Sequence, residues 1–132
     1  MKNVLFVCVE NSCRSQMAEA FLRMHGSGVA NTYSCGSFPS GEVNQRAIEF
    51  MAECDYDMSK HKSKSVNELP AIEYEYVITM GCGDQCPTVS AKKHEDWDIE
   101  DPKDLSDERF RKIRSMIETR VQELILRIKH SV

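Results

Sequence analysis

The chain has little of what marks the specialised protein classes. One tryptophan, four prolines and six glycines in 132 residues are too few for a collagen-like or low-complexity chain. There is no basic excess: 17 Lys and Arg stand against 21 Asp and Glu, a formal net charge of −4. A nonspecific nucleic-acid binder would carry the opposite balance, so no nucleic-acid partner is expected. No apolar run approaches the ~18 residues of a membrane-spanning helix, so no membrane is expected either. The opening apolar run, residues 3–9, lacks a small-residue cleavage site and leads straight to Glu10. It therefore does not read as a signal peptide, and a cytoplasmic location is expected. What remains, 41% apolar and 29% charged residues, is the balance of a single globular domain, expected to span residues 1–132. A core of that size needs no disulfide staples. A monomer is expected.

Six cysteines stand out: Cys8, Cys13, Cys35, Cys54, Cys82 and Cys86. In a reducing compartment such a set means reactive thiols or metal ligands more often than structural bridges. Their settings follow from the chain pattern. Short apolar runs at residues 3–8, 30–35 and 74–80 read as strands, and a further short strand is expected around Trp97 and Ile99 within residues 94–101. Residues 16–24, 43–54 and 107–129 read as helices. The last is amphipathic, with Phe110, Ile113, Met116, Ile117, Val121, Leu124 and Ile128 on one face and Ser106 as its cap. Residues 56–70 read as polar loop with some helical turns. Strands alternating with helices imply an α/β fold, a parallel sheet with helices on both faces. Ligands of such sheets bind at the carboxyl ends of the strands. Cys8 ends the first strand and Cys82 follows the third, so both are expected at one edge.

The segment Cys8-Val9-Glu10-Asn11-Ser12-Cys13-Arg14-Ser15 joins the first strand to the first helix. Backbone N–H groups of residues Cys8, Val9, Glu10, Asn11, Ser12, Cys13 and Arg14 can form a nest for an anion, and the helix dipole adds positive potential there. A cysteine so placed is held as a thiolate and is a nucleophile. Arg14 can grip two oxygens of a tetrahedral oxyanion with its planar fork. Ser15 can donate its hydroxyl hydrogen to the sulfur. Further on, Pro102 biases Asp101 to an extended conformation and holds one carboxylate stiffly. That suits a general acid, whose proton a nearby anion helps to retain.

Cys82-Gly-Asp-Gln-Cys86 is a second cysteine pair. Paired thiols accept two electrons by forming a disulfide. Zinc is the other use of such a pair, but with His94 the ligands number three at best, and zinc wants about four. No metal is expected. Cys13 reads as a structural loop member, and Cys35 and Cys54 as small buried apolar residues. His25, His61, His94 and His130 show no pairing and receive no role.

Cys8-x5-Arg14-Ser15 resembles the loop of the low-molecular-weight tyrosine phosphatase family. The longer string Asn-Ser-Cys-Arg-Ser-Gln-Met-Ala-Glu, residues 11–19, resembles its arsenate reductase branch, because Gln16-Met17 stands where the phosphatases usually carry proline and a different residue. The likeness extends to Tyr33-Ser-Cys-Gly36, Val77-Ile-Thr-Met80 and Asp101-Pro102. It implies a four-stranded parallel sheet, and an activity that converts arsenate to arsenite in arsenical resistance, with phosphate or sulfate as mimics of the substrate. In the implied scheme Cys8 attacks arsenate, Arg14 and the loop hold it, and Asp101 protonates the leaving oxygen. Cys82 then attacks Cys8, and Cys86 attacks Cys82. No cofactor is tightly bound, and the electrons come from thioredoxin, or from glutathione with glutaredoxin, or from mycothiol. Three departures matter. Cys82 and Cys86 are closer together than in better-known members, so an external thiol in place of Cys86 stays open. Lys103 and Asp104 follow Pro102 where the phosphatases carry tyrosines, while phosphatase action on phosphotyrosine or small esters remains the alternative reading. Glu10 stands where glycine is common, and its side chain is expected to point outward. Some reductases of this family bind potassium through positions matching Asn11 and Glu19. Their other ligands fall where this chain reads His61-Lys62-Ser63-Lys64, so a lysine ammonium is expected in the cation's place.

Overall fold

The computed structural model describes residues 1–81 and 88–130. Among these, four parallel strands form one sheet in the order β2-β1-β3-β4. The strands are β1 (Lys2–Cys8), β2 (Ala30–Gly36), β3 (Tyr74–Thr79) and β4 (Ala91–Asp96). The α-helices are α1 (Arg14–His25), α2 (Gln45–Ala52) and α3 (Asp107–His130). Residues 56–70 contain two single 3-10 turns, Met58–Lys60 and Val66–Glu68, as their polar composition implied.

β1 is central because it is the most apolar strand. Val4, Leu5, Phe6 and Val7 are all fully buried. Alternation sends Val4, Phe6 and Cys8 to one face, against α1, α2 and α3. Leu5 and Val7 go to the other face, with Cys35, Tyr74 and Val77, beside Val66 of the second 3-10 turn, Leu69 and Val89. The α-helices thus cover the first face, and among the described residues the second is covered by that single 3-10 turn and by loop, not by an α-helix as the alternating pattern implied. Each large buried side chain such as Phe6 contributes about 1.5–3 kcal/mol.

The chain leaves β1 toward β2 and returns across it to β3, which opens a crevice at the carboxyl end of β1. Cys8 sits at that end opposite Gly36, and Val7 is level with Thr79. Gly36 is required by close approach. A Cβ there would lie 2.4 Å from the Val9 carbonyl oxygen and 2.9 Å from the Asn11 nitrogen. The outer edge of β2 is met there by its own chain, where the Gly36 N–H donates to the Lys64 carbonyl at 2.8 Å.

Two sequence-based expectations need correction. The fourth strand is residues 91–96, not a strand around Trp97 and Ile99. It is an edge strand whose side chains (Ala, Lys, Lys, His, Glu, Asp) are mostly solvated, so it has no apolar run to betray it. Trp97 and Ile99 lie just past its end and are buried in the core. On α3 the apolar face holds as expected except at Met116, which is 49% exposed, while Ile125 is buried. Ser106 does cap the helix, accepting from the Arg109 N–H at 3.3 Å.

Candidate active site

β1 ends at Cys8, and the chain turns through five residues before α1 begins at Arg14. The turn needs a left-handed residue, and Asn11 supplies it at φ 50°, a conformation asparagine tolerates better than most residues. Its side chain then works as a hub. Asn11 Nδ2 donates to Ser15 Oγ at 2.8 Å, and Asn11 Oδ1 accepts from the Lys64 N–H at 2.8 Å and Gln16 Nε2 at 3.0 Å. Ser15 Oγ lies 2.8 Å from Cys8 Sγ. Because the serine oxygen already accepts from Asn11, its hydrogen is free to point at sulfur. The arrangement suits a thiolate.

A cavity of about 210 Å³ opens beside this sulfur, lined by Cys8, Val9, Glu10, Ser12, Cys13, Arg14, Asp101 and Lys103. The structure therefore brings together the nucleophile, the arginine and the acid expected from sequence. Arg14 Nη1 donates to the Met80 carbonyl at 2.6 Å and the Ile99 carbonyl at 2.9 Å. These bonds anchor the guanidinium between the end of β3 and the acid segment while it borders the cavity. Gly81, at φ 83°, gives it room: a Cβ there would lie 3.2 Å from Nη1. Asp101 Oδ1 accepts from the Lys103 N–H at 3.1 Å, a local turn that orients the carboxyl. The Asn11 side chain borders the site without lining the cavity and reaches Cys8 through Ser15. Cys82 and Cys86 lie outside the described residues.

The remaining thiols are set apart by their surroundings. Burial, then Asp101, pushes the Cys13 thiol far above its ordinary range. Burial, then Cys8, pushes Cys35 up to about 12. Neither is a nucleophile near neutral pH. The half-buried Cys54 is also raised by burial.

Glu10 departs from expectation. It does not simply point away but borders the cavity, its Oε2 3.2 Å from Lys103 Nζ, so its charge is paired. His61, given no role from sequence, is part of the loop's support. Its Nδ1 lies 2.9 Å from Gln16 Oε1 and its Nε2 2.6 Å from the Tyr56 hydroxyl. An amide oxygen only accepts, so Nδ1 carries the proton and Nε2 accepts from Tyr56. Burial holds His61 below its ordinary range, although Glu19, 3.5 Å away, pulls the other way. Gln16 is fully buried and also donates to the Asn11 and Lys62 carbonyls at 3.0 and 2.9 Å. The sequence marked Gln16 only through the resemblance to the reductase branch, with no sign of these partners.

The position that matches the potassium site holds the Lys64 ammonium. Lys64 Nζ lies 3.9 Å from Glu19 Oε1, 2.9 Å from the Lys62 carbonyl and 3.4 Å from Ser34 Oγ. The ammonium already supplies the positive charge there, and a second cation would be repelled. Among the described residues no group of three or more His, Cys, Asp or Glu converges as a metal site.

A parallel sheet with a Cys-x5-Arg loop at the end of its central strand and an Asp-Pro carboxylate lining the same cavity defines a family. Residues 3–132 match the low molecular weight phosphotyrosine protein phosphatases, and the chain belongs to that family. Within it the chain is similar to arsenate reductases. The glutaredoxin arsenate reductase of Synechocystis is 42% identical over 131 residues, covering 97% of this chain and 99% of the relative. A solved structure of an arsenate reductase in its phosphate binding state superposes with a TM-score of 0.88 at 42% identity, over 97% of this chain and 99% of that one. The thioredoxin-dependent arsenate reductase of Corynebacterium glutamicum gives 0.81 at 33% identity, over 100% of this chain and 64% of that one.

Proposed function

We propose that this chain reduces arsenate to arsenite through Cys8 and a relay of thiols. One observation carries the first half: Cys8 Sγ, hydrogen-bonded to Ser15, shares a cavity of about 210 Å³ with Arg14 and Asp101. The cavity suits a tetrahedral oxyanion. The Cys8 thiolate attacks arsenic, Arg14 and the loop N–H groups of residues 8–14 hold the oxygens, and Asp101 protonates the departing one. Cys82 then attacks the Cys8 sulfur. The sulfur–arsenic electron pair stays on arsenic, arsenite leaves, and a Cys8–Cys82 disulfide remains. Cys86 displaces Cys8, and an external thiol reduces the Cys82–Cys86 disulfide.

The same loop can hydrolyse a phosphate ester, so the second cysteine pair and the named relatives decide for reduction. The reductant is a protein or small thiol, and relatives coupled to glutaredoxin and to thioredoxin both exist. The test measures arsenate-dependent NADPH consumption with thioredoxin and its reductase, against glutathione and glutaredoxin. Cys82→Ser is expected to stop reduction while leaving p-nitrophenyl phosphate hydrolysis at its original rate. Normal reduction by that variant with every reductant overturns the relay. Cys86→Ser turning over normally with glutathione and glutaredoxin removes Cys86 from it.

A further inference from the structure

Two oppositely charged side chains from separate segments meet in the lining of the cavity. Glu10 reaches in from the loop after β1, and Lys103 from the segment after the acid. Lys103 Nζ and Glu10 Oε2 are 3.2 Å apart, and both residues line the same cavity as Cys8, Arg14 and Asp101. The Lys103 backbone is held twice: its N–H donates to Asp101 at 3.1 Å, and its carbonyl accepts from Arg46 Nη1 at 2.8 Å. Arg46 is itself fixed, stacked 4.9 Å over the Phe110 ring and paired with Asp107 at 3.0 Å. With its root anchored, the half-exposed lysine side chain meets Glu10 within the lining of the cavity.

We propose that the Glu10–Lys103 ion pair is a strap across the mouth that makes the pocket selective for a free tetrahedral oxyanion over its esters. The proposal rests on the reading that Cys8 receives an oxyanion. Two effects act together. A free oxyanion keeps all its oxygens inside a cavity that is smaller than the ~300–1,000 Å³ of ordinary small-molecule pockets. An ester must pass its organic group through the mouth and displace the strap. Glu10 alone would also repel a dianion, and Lys103 cancels that charge. Because both partners are 41% exposed, the strap is weak and the selectivity it confers is modest, roughly tenfold.

The test is protection of Cys8 from iodoacetate by inorganic phosphate and by phenyl phosphate, a readout that needs no turnover. The wild-type chain is expected to be protected by phosphate at far lower concentration than by phenyl phosphate. The double variant Glu10→Ala/Lys103→Ala is expected to narrow that ratio roughly tenfold. Glu10→Gln should tighten phosphate protection several-fold and Lys103→Met should weaken it, opposite signs that a merely structural pair would not produce. An unchanged ratio in the double variant, or weakening by Glu10→Gln, overturns the strap. Failure of both ligands to protect wild-type Cys8 overturns the oxyanion reading and the strap with it. Wild-type protection by phosphate without arsenate reduction overturns only the reductase, and the ratio still decides on the strap.

Discussion

On one side of the cavity lies the anion loop, and on the other the acid segment, residues 97–103. The loop is held from beneath by buried neutral hydrogen bonds. Asn11, Ser15 and Gln16 are fully buried, and their partners come from β1, α1 and the main chain at Lys62 and Lys64. The acid segment has its apolar residues Trp97 and Ile99 sunk in the core, but its working end is held by charged side chains at the surface, Arg46 on Lys103 and Arg109 on Glu100. The difference suits the tasks proposed for the two walls. A group that must fit charge developing on an oxyanion gains from donors that need not reorganise. A group that must take up and deliver a proton needs contact with water.

Breaking Arg14 tests the joint between the two walls and is expected to have the largest effect. Arg14→Lys keeps the charge but loses the fork and the bonds to Met80 and Ile99, so arsenate turnover should fall about 10²–10³-fold. A rate near wild type would remove Arg14 as the clamp. Next, Asp101→Asn should lower turnover about 10²-fold while changing stability by no more than about 0.5 kcal/mol, because it keeps the shape of a partly exposed side chain. A large loss of stability on denaturant melting would show that the acid wall is as structural as the loop. Gln16→Ala should do the reverse in kind. It strands buried partners at Asn11, Lys62 and His61 and should cost about 2 kcal/mol of unfolding free energy, with a smaller fall in rate.

The smallest expected effect is on pH dependence. Burial holds folded His61 below the ordinary value of 6.5, so the unfolded chain binds that proton more readily. The contribution is full above 6.5 and is lost as pH falls through it. Denaturation midpoints across roughly pH 5–8 should decline on the acid side, and His61→Phe should flatten that part of the curve. An identical acid limb in the variant would mean that other groups set it.

The loop was legible in the sequence because its chemistry is confined to consecutive residues, between an apolar strand and a helix. β1, β3 and α3 were legible because burial writes itself as runs or stripes of apolar residues. β4 was not, since an edge strand solvated along most of its length has no such run. The contact of Gln16 with His61 was not legible either, because it joins residues 45 positions apart, and the Glu10–Lys103 pair spans 93. No local pattern encodes contacts of that range; only the fold supplies them. Asp101 was visible through Pro102, a local backbone constraint. Arg46, which steadies the segment that follows Asp101, had no such marker.

The poorly marked strand β4 also has a consequence for how the molecule behaves in a crowded solution. Its outward groups are an invitation to another chain's strand, the usual first step of sheet-to-sheet aggregation. Lys92, Lys93, His94, Glu95 and Asp96 line that rim with closely spaced charge that an incoming strand would have to strip of water. At the opposite rim, the carboxyl end of β2 is already occupied at Gly36 by the chain's own Lys64–Ser65 stretch. The charged residues that concealed β4 therefore act as a guard, and replacing Lys92 and Lys93 with valine is expected to increase self-association through this edge.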